Sequence, residues 1–316
     1  MHLRSGTLTT VLFEHDVFGA HEAPPGHVEN PARYEAVSRI LSMPDFSEVK
    51  RHVPPLASAE AVLRVHDKNL FDSVEKAGAT SSLAQLDPDT FMGPNSYEAV
   101  MRAAGGAMAA VDLVFGGEAQ NAFVAARPPG HHATPGRAMG FCFFNSAAIA
   151  AYHARLHHGT ERIAIVDFDV HHGNGTEAAF WDDENAFFAS SHEHPQYPGT
   201  GRTDDRGAFE NIFNAPLPSG TAGDAFRREW GDRLLPALER FKPEIIVVSA
   251  GFDGHVADPL GGFELTDADF GWLTSEICAL AETSCGGRVV SLLEGGYDLG
   301  GLAQSVSAHV KALMAA

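Results

Sequence analysis

Ile163-Ala164-Ile165-Val166-Asp167-Phe168-Asp169-Val170-His171-His172-Gly173-Asn174-Gly175 is a short apolar run that passes directly into a set of acids and imidazoles. Four consecutive apolar residues with β-branching are the pattern of a strand buried on both faces, as in a parallel sheet. The strand's period of two puts Asp167, Asp169 and His171 on one face. Similar runs at Leu8–Phe13, Ala122–Ala125, Phe187–Ser190, Ile245–Ser249 and Val289–Leu293 predict further strands. Helical patterns fall between them at Ala32–Leu41, Ser96–Phe115, Asn145–Leu156, Ala222–Phe241 and Thr266–Glu282, with Thr266 as the N-cap of the last. The alternation predicts an α/β fold, a parallel sheet with helices on both faces. In such a sheet the functional site lies beyond the carboxyl ends of the strands.

The 316 residues show no internal repeat, low-complexity tract or linker, so residues 1–316 are expected to form one domain. Hydrophobic residues make up 44% and charged residues 20%, which excludes a disordered chain. A formal charge of −19 disfavours direct nucleic-acid binding and favours cationic ligands. Cys142, Cys278 and Cys285 have no CxxC spacing, so neither a disulfide framework nor a cysteine zinc site is expected. The first ten residues lack a basic segment followed by a long apolar run, and no stretch approaches the ~18 apolar residues of a membrane span. The expectation is a cytoplasmic protein with no membrane partner; a homo-oligomer is left open. Four long glycine- and proline-rich loops, Asp16–Asn30, Ala79–Asn95, His192–Arg206 and Gly251–Phe263, are candidates to build the site.

The chemistry gathers at the strand ends. Ile245–Ser249 leads into Ala250-Gly251-Phe252-Asp253, which brings a second carboxylate to the same edge. A lone aspartate after a strand usually caps a helix or solvates a loop, but several acids and an imidazole converging on one edge repel one another unless a cation sits among them. Two carboxylates and an imidazole suit a borderline divalent ion and leave a coordination position open, as catalytic sites require. Ala122–Ala125 is followed by Arg127-Pro128-Pro129-Gly130-His131-His132, a histidine pair suited to moving protons near neutral pH. Val289–Leu293 is followed by Glu294-Gly295-Gly296-Tyr297, which sets a phenol on a glycine turn.

Taken together, RPPGHHA, GFCFFN, DFDVHHGNGT, YPGTGR, SAGFD and LEGGYD resemble the histone deacetylase and acetylpolyamine amidohydrolase family, on the side of bacterial histone deacetylase-like amidohydrolases and the class II type. The resemblance runs from roughly Leu8 to Val310. It implies an arginase-like fold with about eight mostly parallel strands and one catalytic zinc ion. It implies zinc on Asp169, His171 and Asp253, proton transfer by His131 and His132, and polarisation of the acetyl carbonyl by Tyr297. A structural potassium ion is implied at Asp167, Asp169, His171, Ser190 and Ser191, largely through main-chain carbonyls. Phe141 and Tyr197 would wall an acyl-lysine tunnel with Gly140 and Leu260 beside it, and Asp89 would sit at its rim. Asp167 and Asn174 would support the metal and the histidines. Asn174 stands where some members have an aspartate, which should make His132 harder to hold as a cation, and Ser146 replaces a second asparagine.

The implied activity is zinc-dependent hydrolysis of N-acetyl-lysine in proteins or peptides. Leu260, where polyamine-preferring relatives tend to be acidic, favours that over an acetylpolyamine amidohydrolase. A non-catalytic acyl-lysine-binding module would not need the histidine pair and the tyrosine beside the metal set. A two-metal ureohydrolase would need further aspartates. The remaining histidines, including His15, His21, His27, His66, His157, His158, His192 and His194, read as loop, surface or rim residues, with His21, His27 and Glu29 as candidates to line the entrance.

Overall fold

The computed structural model describes residues 9–316. The first half of the chain forms β1 (Thr10–Phe13), α1 (Pro31–Leu41), β2 (Lys50–His52), a short α2 (Ala59–Val62), α3 (Lys68–Gly78), β3 (Ala84–Asp87), β4 (Thr90–Met92), α4 (Ser96–Gly116), β5 (Asn121–Val124) and α5 (Ser146–His158). The second half forms β6 (Ile163–Asp167), α6 (Asn174–Phe180), β7 (Ala186–Glu193), β8 (Ile212–Leu217), α7 (Gly223–Glu229), α8 (Leu235–Phe241), β9 (Ile245–Ala250), α9 (Asp267–Cys285), β10 (Val289–Leu293) and α10 (Leu299–Met314). A π-helical stretch, Trp230–Leu234, joins α7 to α8, so the helix expected over Ala222–Phe241 is continuous but underwound at its middle.

Eight strands form one sheet in the order β2-β1-β5-β10-β9-β6-β7-β8, and every pairing is parallel. The strands that carry the histidine, tyrosine, Gly-Phe-Asp and Asp-His motifs are β5, β10, β9 and β6, four consecutive neighbours at the centre. Their side chains alternate between two cores. Ile163, Ile165 and Val247 pack with α4 and α5 on one face, while Ala164, Val166, Ile246 and Val248 pack with α9 and α10 on the other. Burial on both faces is why these strands read as unbroken apolar runs.

The expected first strand starts at Leu8, which lies outside the described residues; the strand itself begins at Thr10. Both sheet edges went unread. β2 is Lys50-Arg51-His52, largely exposed, and β8 contains Asn214 and Pro216, residues that only an edge strand tolerates readily. The loop expected over Ala79–Asn95 contains the β3–β4 hairpin. By length and composition alone α4 is long and apolar enough to cross a membrane, although Glu98, Arg102 and Asp112 interrupt its apolar run. It is packed against the sheet through Ala103, Ala104, Ala107, Ala110 and Val111. Thr266 caps α9 as expected, in a reciprocal pairing with Asp269.

On α10, buried His309 hydrogen-bonds through Nδ1 with Thr274 Oγ1 at 2.7 Å and through Nε2 with Ser291 Oγ at 2.8 Å. Burial pushes its pKa down to about 3, and burial takes His66 to about 4. An unfolded histidine titrates near ~6.5, so between that pH and the folded values the unfolded chain binds more protons. Stability should therefore be complete above about pH 6.5 and fall as the pH drops below it, each such group costing up to about 1.4 kcal/mol per pH unit. His309→Gln should show a shallower loss of thermal midpoint between pH 6.5 and 5 than the parent; equal slopes would remove His309 from the account.

Candidate active site

Asp167 is the last residue of β6, so the pleat ends there and the following acids are placed by a turn. The shared face expected for Asp167, Asp169 and His171 is accordingly broken. Asp169 and His171 turn toward Asp253 from the end of β9, and one donor atom from each of the three lies within 4.8 Å of the other two. His171 Nδ1 is 3.1 Å from Asp169 Oδ1 and 3.0 Å from Asp253 Oδ2. Asp167 instead accepts a hydrogen bond from His131 Nδ1 at 2.9 Å.

Backbone amides aim these carboxylates. Val170 N donates to Asp253 Oδ1 at 2.9 Å, His171 N to Asp169 Oδ1 at 2.9 Å, and Gly295 N to Asp169 Oδ2 at 2.8 Å. The close approach explains two glycines in the motifs: a Cβ at Gly251 would fall 2.0 Å from Asp169 Oδ2, and one at Gly295 would fall 2.1 Å from Asp253 Oδ2. Burial, with Asp169 nearby, pushes Asp253 up to about 7. Burial opposes a charged His171, yet Asp253 and Asp169 hold its pKa up at about 10. Burial also opposes a charged Asp169, but His131 and His171 keep it well below the usual carboxylate range. The buried set thus keeps a proton on His171 Nδ1, between two carboxylate oxygens. One nitrogen and two oxygens in that arrangement fit a divalent ion of zinc's type.

The histidine pair follows β5, with ring centroids 4.0 Å apart. His131 Nδ1 donates to Asp167, and His132 Nδ1 donates to Asn174 Oδ1 at 2.8 Å, so each ring keeps Nε2 for other partners. Burial alone would depress both. Asp169 and Asp167 override it at His131 and raise its pKa well above the ordinary value. At His132, burial together with the charges of His131 and His171 lowers the pKa far below it. The Gly130 and His131 amides both donate to buried Glu294 Oε2, at 2.6 and 3.1 Å, which fixes the turn.

A cavity of about 230 Å³ opens onto this group. Asp89, Gly140, Phe141, Tyr197 and Leu260, the residues expected around a tunnel, all line it together with His132, His171 and Tyr297. The Phe141 ring centroid is 5.8 Å from that of Tyr297, and the Tyr197 centroid is 5.1 Å from that of His132. Phe141 and Gly140 both have positive φ, 68° and 56°, and a Cβ at Gly140 would fall 2.4 Å from the His132 ring. Thr90 Oγ1 accepts from Phe141 N at 3.0 Å, and the Asp89 carbonyl accepts from His27 Nε2 at 3.1 Å. Burial pushes the Tyr297 phenol well above its ordinary pKa, which keeps it a hydrogen-bond donor.

Sequence reasoning missed the residues that hold the walls. Gln196 lines the cavity and donates to the Leu260 carbonyl at 3.1 Å. Asp258 accepts from Tyr297 N at 2.6 Å and from Leu260 N at 2.9 Å, so one carboxylate sets two walls. It stands in the run Asp258-Pro259-Leu260 of the Gly251–Phe263 loop, where an acid before proline could have been read as a turn acceptor.

Several expected rim residues are elsewhere. Glu29 is buried, bonded by the Arg127 guanidinium and by Arg33 Nη1 at 3.0 Å, and His21, also buried, lies 3.3 Å from it. Only His27 of that trio touches a cavity wall, its ring 4.8 Å from Phe141. His66 and His192 are interior rather than surface residues. His66 Nε2 accepts from Asn145 N at 2.8 Å, and His192 Nε2 donates to the Gly201 carbonyl at 2.9 Å. Ser190 stands opposite Asp167 in the β6–β7 register, and Ser191 Oγ accepts from Trp230 Nε1 at 3.0 Å.

The family model described as "Histone deacetylase domain" matches residues 27–313. Histone deacetylase 14, chloroplastic, of Arabidopsis thaliana is 40% identical over 308 residues, covering 91% of this chain and 73% of the relative. The histone deacetylase-like amidohydrolase of Pseudomonas aeruginosa is 41% identical over 286 residues, covering 87% of this chain and 74% of the relative. The crystal structure of the HDA15 HD domain superposes with a TM-score of 0.93 at 30% identity, over 98% of this chain and 89% of that one.

A divalent ion that takes His171 Nδ1 must displace the proton held there. Zinc titration at pH 7 should release protons, and binding should tighten as the pH rises from 6 to 8. Calorimetry in two buffers of different ionisation enthalpy would detect it; identical heats in both buffers would contradict the protonated cluster.

Proposed function

The chain belongs to the histone deacetylase family, a family of hydrolases that includes deacetylases and amidohydrolases, and from that premise we propose that it is a zinc-dependent amidohydrolase that releases acetate from N-acetyl-lysine in proteins or peptides. The observation that carries this reading is the cavity itself. Its aromatic walls, Phe141 and Tyr197, suit an aliphatic stem, and its lining includes a phenol, an imidazole and one member of the Asp169–His171–Asp253 set.

In this reading Asp169, His171 and Asp253 hold the zinc ion, which supplies a Lewis acid for the acetyl carbonyl and lowers the pKa of water. Tyr297 donates its phenolic hydrogen to the carbonyl oxygen and stabilises the charge that develops there. His132 faces the cavity with Nε2 free and takes the proton of the attacking water. His131, behind it and charged through Asp169 and Asp167, supports the developing anion, and the proton gathered by the pair passes to the leaving amine. Asp89 meets the substrate at the rim, and Gly140 leaves room for the His132 ring. A potassium ion at the ends of β6 and β7, held by Asp167, Asp169, His171, Ser190 and Ser191 largely through main-chain carbonyls, belongs to the same reading. It is supported by the pairing of Asp167 with Ser190 and by the commitment of the Ser191 hydroxyl to Trp230. We take residues 1–316 as one catalytic domain, supported by a sheet whose strands come from Thr10 to Leu293. A reducing, cytoplasmic setting is supported by three free, buried cysteines.

Leu260 on the cavity wall supports acetyl-lysine over acetylpolyamine. The second reading, an acetylpolyamine amidohydrolase, is favoured by Asp89 as the carboxylate lining the cavity and by the formal charge of −19. Acetate release should be measured in parallel from an acetyl-lysine peptide and from acetylputrescine, with zinc and potassium present. Faster peptide turnover supports the first reading, faster acetylputrescine turnover the second, and release from neither removes both. Tyr297→Phe should lower turnover of the preferred substrate by roughly 10²–10³, the usual effect of losing one such donor. Near-normal turnover would take Tyr297 out of the mechanism.

A further inference from the structure

Helices α4 and α5 pack together on one face of the sheet, and each ends in a left-handed glycine, Gly117 and Gly159. Those ends precede β5 and β6, so they lie at the amino edge of the sheet, on the far side of strands that span roughly 15 Å from the carboxyl-edge cavity. Here Asp112, in the last turns of α4, meets two imidazoles from the last turns of α5. His153 Nε2 and His158 Nε2 both stand 2.7 Å from the same oxygen, Asp112 Oδ1. One donor atom from each of the three residues lies within 4.8 Å of the other two.

Both imidazoles are braced. The His153 ring stacks on His157 at 4.4 Å, and the His158 ring lies on Phe115 at 4.5 Å with only 9° between the planes. His153 is almost wholly buried while the Asp112 side chain is 53% exposed, so the group is walled on the protein side and open to water on the other. Two helix carboxyl termini converge there, and their partial negative charge favours a cation. The Arg288 guanidinium packs over Phe115 at 4.9 Å from the ring centre, a charge that the Asp112 carboxylate and the helix ends must offset.

We propose that Asp112, His153 and His158 form a second metal site, which binds a borderline divalent ion such as zinc, nickel or copper and clamps the end of α4 to the end of α5. Two imidazoles and one carboxylate are donors for such ions rather than for calcium or magnesium, which prefer oxygen alone. Metal–ligand bonds of about 2.0–2.2 Å in a tetrahedral site separate donors by roughly 3.2–3.5 Å. The contacts at 2.7 Å therefore need to open by roughly 0.5–0.8 Å, with the metal replacing the protons now shared with Asp112. Solvent fills the outer position.

Zinc stoichiometry of the full chain, by equilibrium dialysis and elemental analysis, tests the proposal. The parent should bind two equivalents, and Asp112→Asn and His158→Gln one each. Asp253→Asn, which disrupts the carboxyl-edge cluster, should retain one, and adding Asp112→Asn to it should remove that one. If the carboxyl-edge cluster binds no zinc, the parent binds a single equivalent that Asp112→Asn abolishes, and the second site still stands. Unchanged stoichiometry on Asp112→Asn overturns it and leaves Asp112 as an acceptor for two imidazoles at helix ends. Copper(II) bound to Asp253→Asn should show electron-spin hyperfine splitting from two imidazole nitrogens, and a spectrum unaltered by adding His158→Gln overturns the proposal as well.

Discussion

Glu29 lies buried between the guanidinium groups of Arg127 and Arg33, and that triad ties together segments far apart in the chain. Burial alone would keep Glu29 protonated, yet Arg127, His21 and Arg33 hold its pKa well below the usual carboxylate range. Arg127 also donates to the Phe18 carbonyl at 2.7 Å, while Arg33 donates to the carbonyls of Glu294 and Gly296 and lies 4.8 Å over the Tyr297 ring. The loop after β1, the turn after β5 and the tyrosine turn after β10 are thereby locked to one carboxylate. Removing one partner from a buried ion group typically costs about 3–5 kcal/mol, because the remaining charge has no water to turn to. Neither Glu29 nor its two arginines touches the cavity, but the positions of the histidine pair and the phenol follow from them.

The same rule orders the acids nearer the cavity. Asp167, Asp169, Asp253 and Glu294 are all buried, and each receives at least one backbone amide or imidazole hydrogen. The amides come from turns that a side chain would close, which is why glycine stands at 251 and 295. Sheet order supplies the rest. Because β5, β10, β9 and β6 are consecutive, motifs scattered from residue 127 to residue 297 meet at one edge.

Much of this was legible in the sequence because central parallel strands are apolar on both faces and end abruptly in polar motifs. Val289–Leu293 was read to the residue, and the strands at Ala122–Ala125, Ile163–Val166 and Ile245–Ser249 to within one position at either end, the usual tolerance at element boundaries, while Phe187–Ser190 stops three residues short of the end of β7. The unread elements lacked that contrast. β2 and β8 lie at the edges, where exposure permits Lys50, Arg51, Asn214 and Pro216. α10 opens with Leu299-Gly300-Gly301, which reads as loop, although Asp298 caps it through the Gly301 amide. α3 was legible and overlooked: Leu70, Phe71, Val74 and Ala77 form a helical stripe. The site's contents were visible as motifs, but its supports were not. The pairing of Glu29 with Arg127 spans a separation in sequence that no local pattern records, so Glu29 looked like a rim residue.

The histidine pair shows how much a single neighbour decides. His131 and His132 are adjacent in sequence and 4.0 Å apart as rings, so both carry a charge together only at a cost. Each points Nδ1 at one partner, Asp167 for the first and Asn174 for the second. A carboxylate rewards the protonated ring, whereas an amide oxygen needs only the hydrogen that a neutral ring already has. The proton is therefore assigned to His131 and Nε2 of His132 is left as a base, the separation of titrations that acid–base chemistry needs. A dication among Asp169, His171 and Asp253 would weaken the field of Asp169 at both rings. It would leave Asp167 and Asn174 where they are, so the carboxylate that favours a charged ring stays with His131 and the amide oxygen with His132.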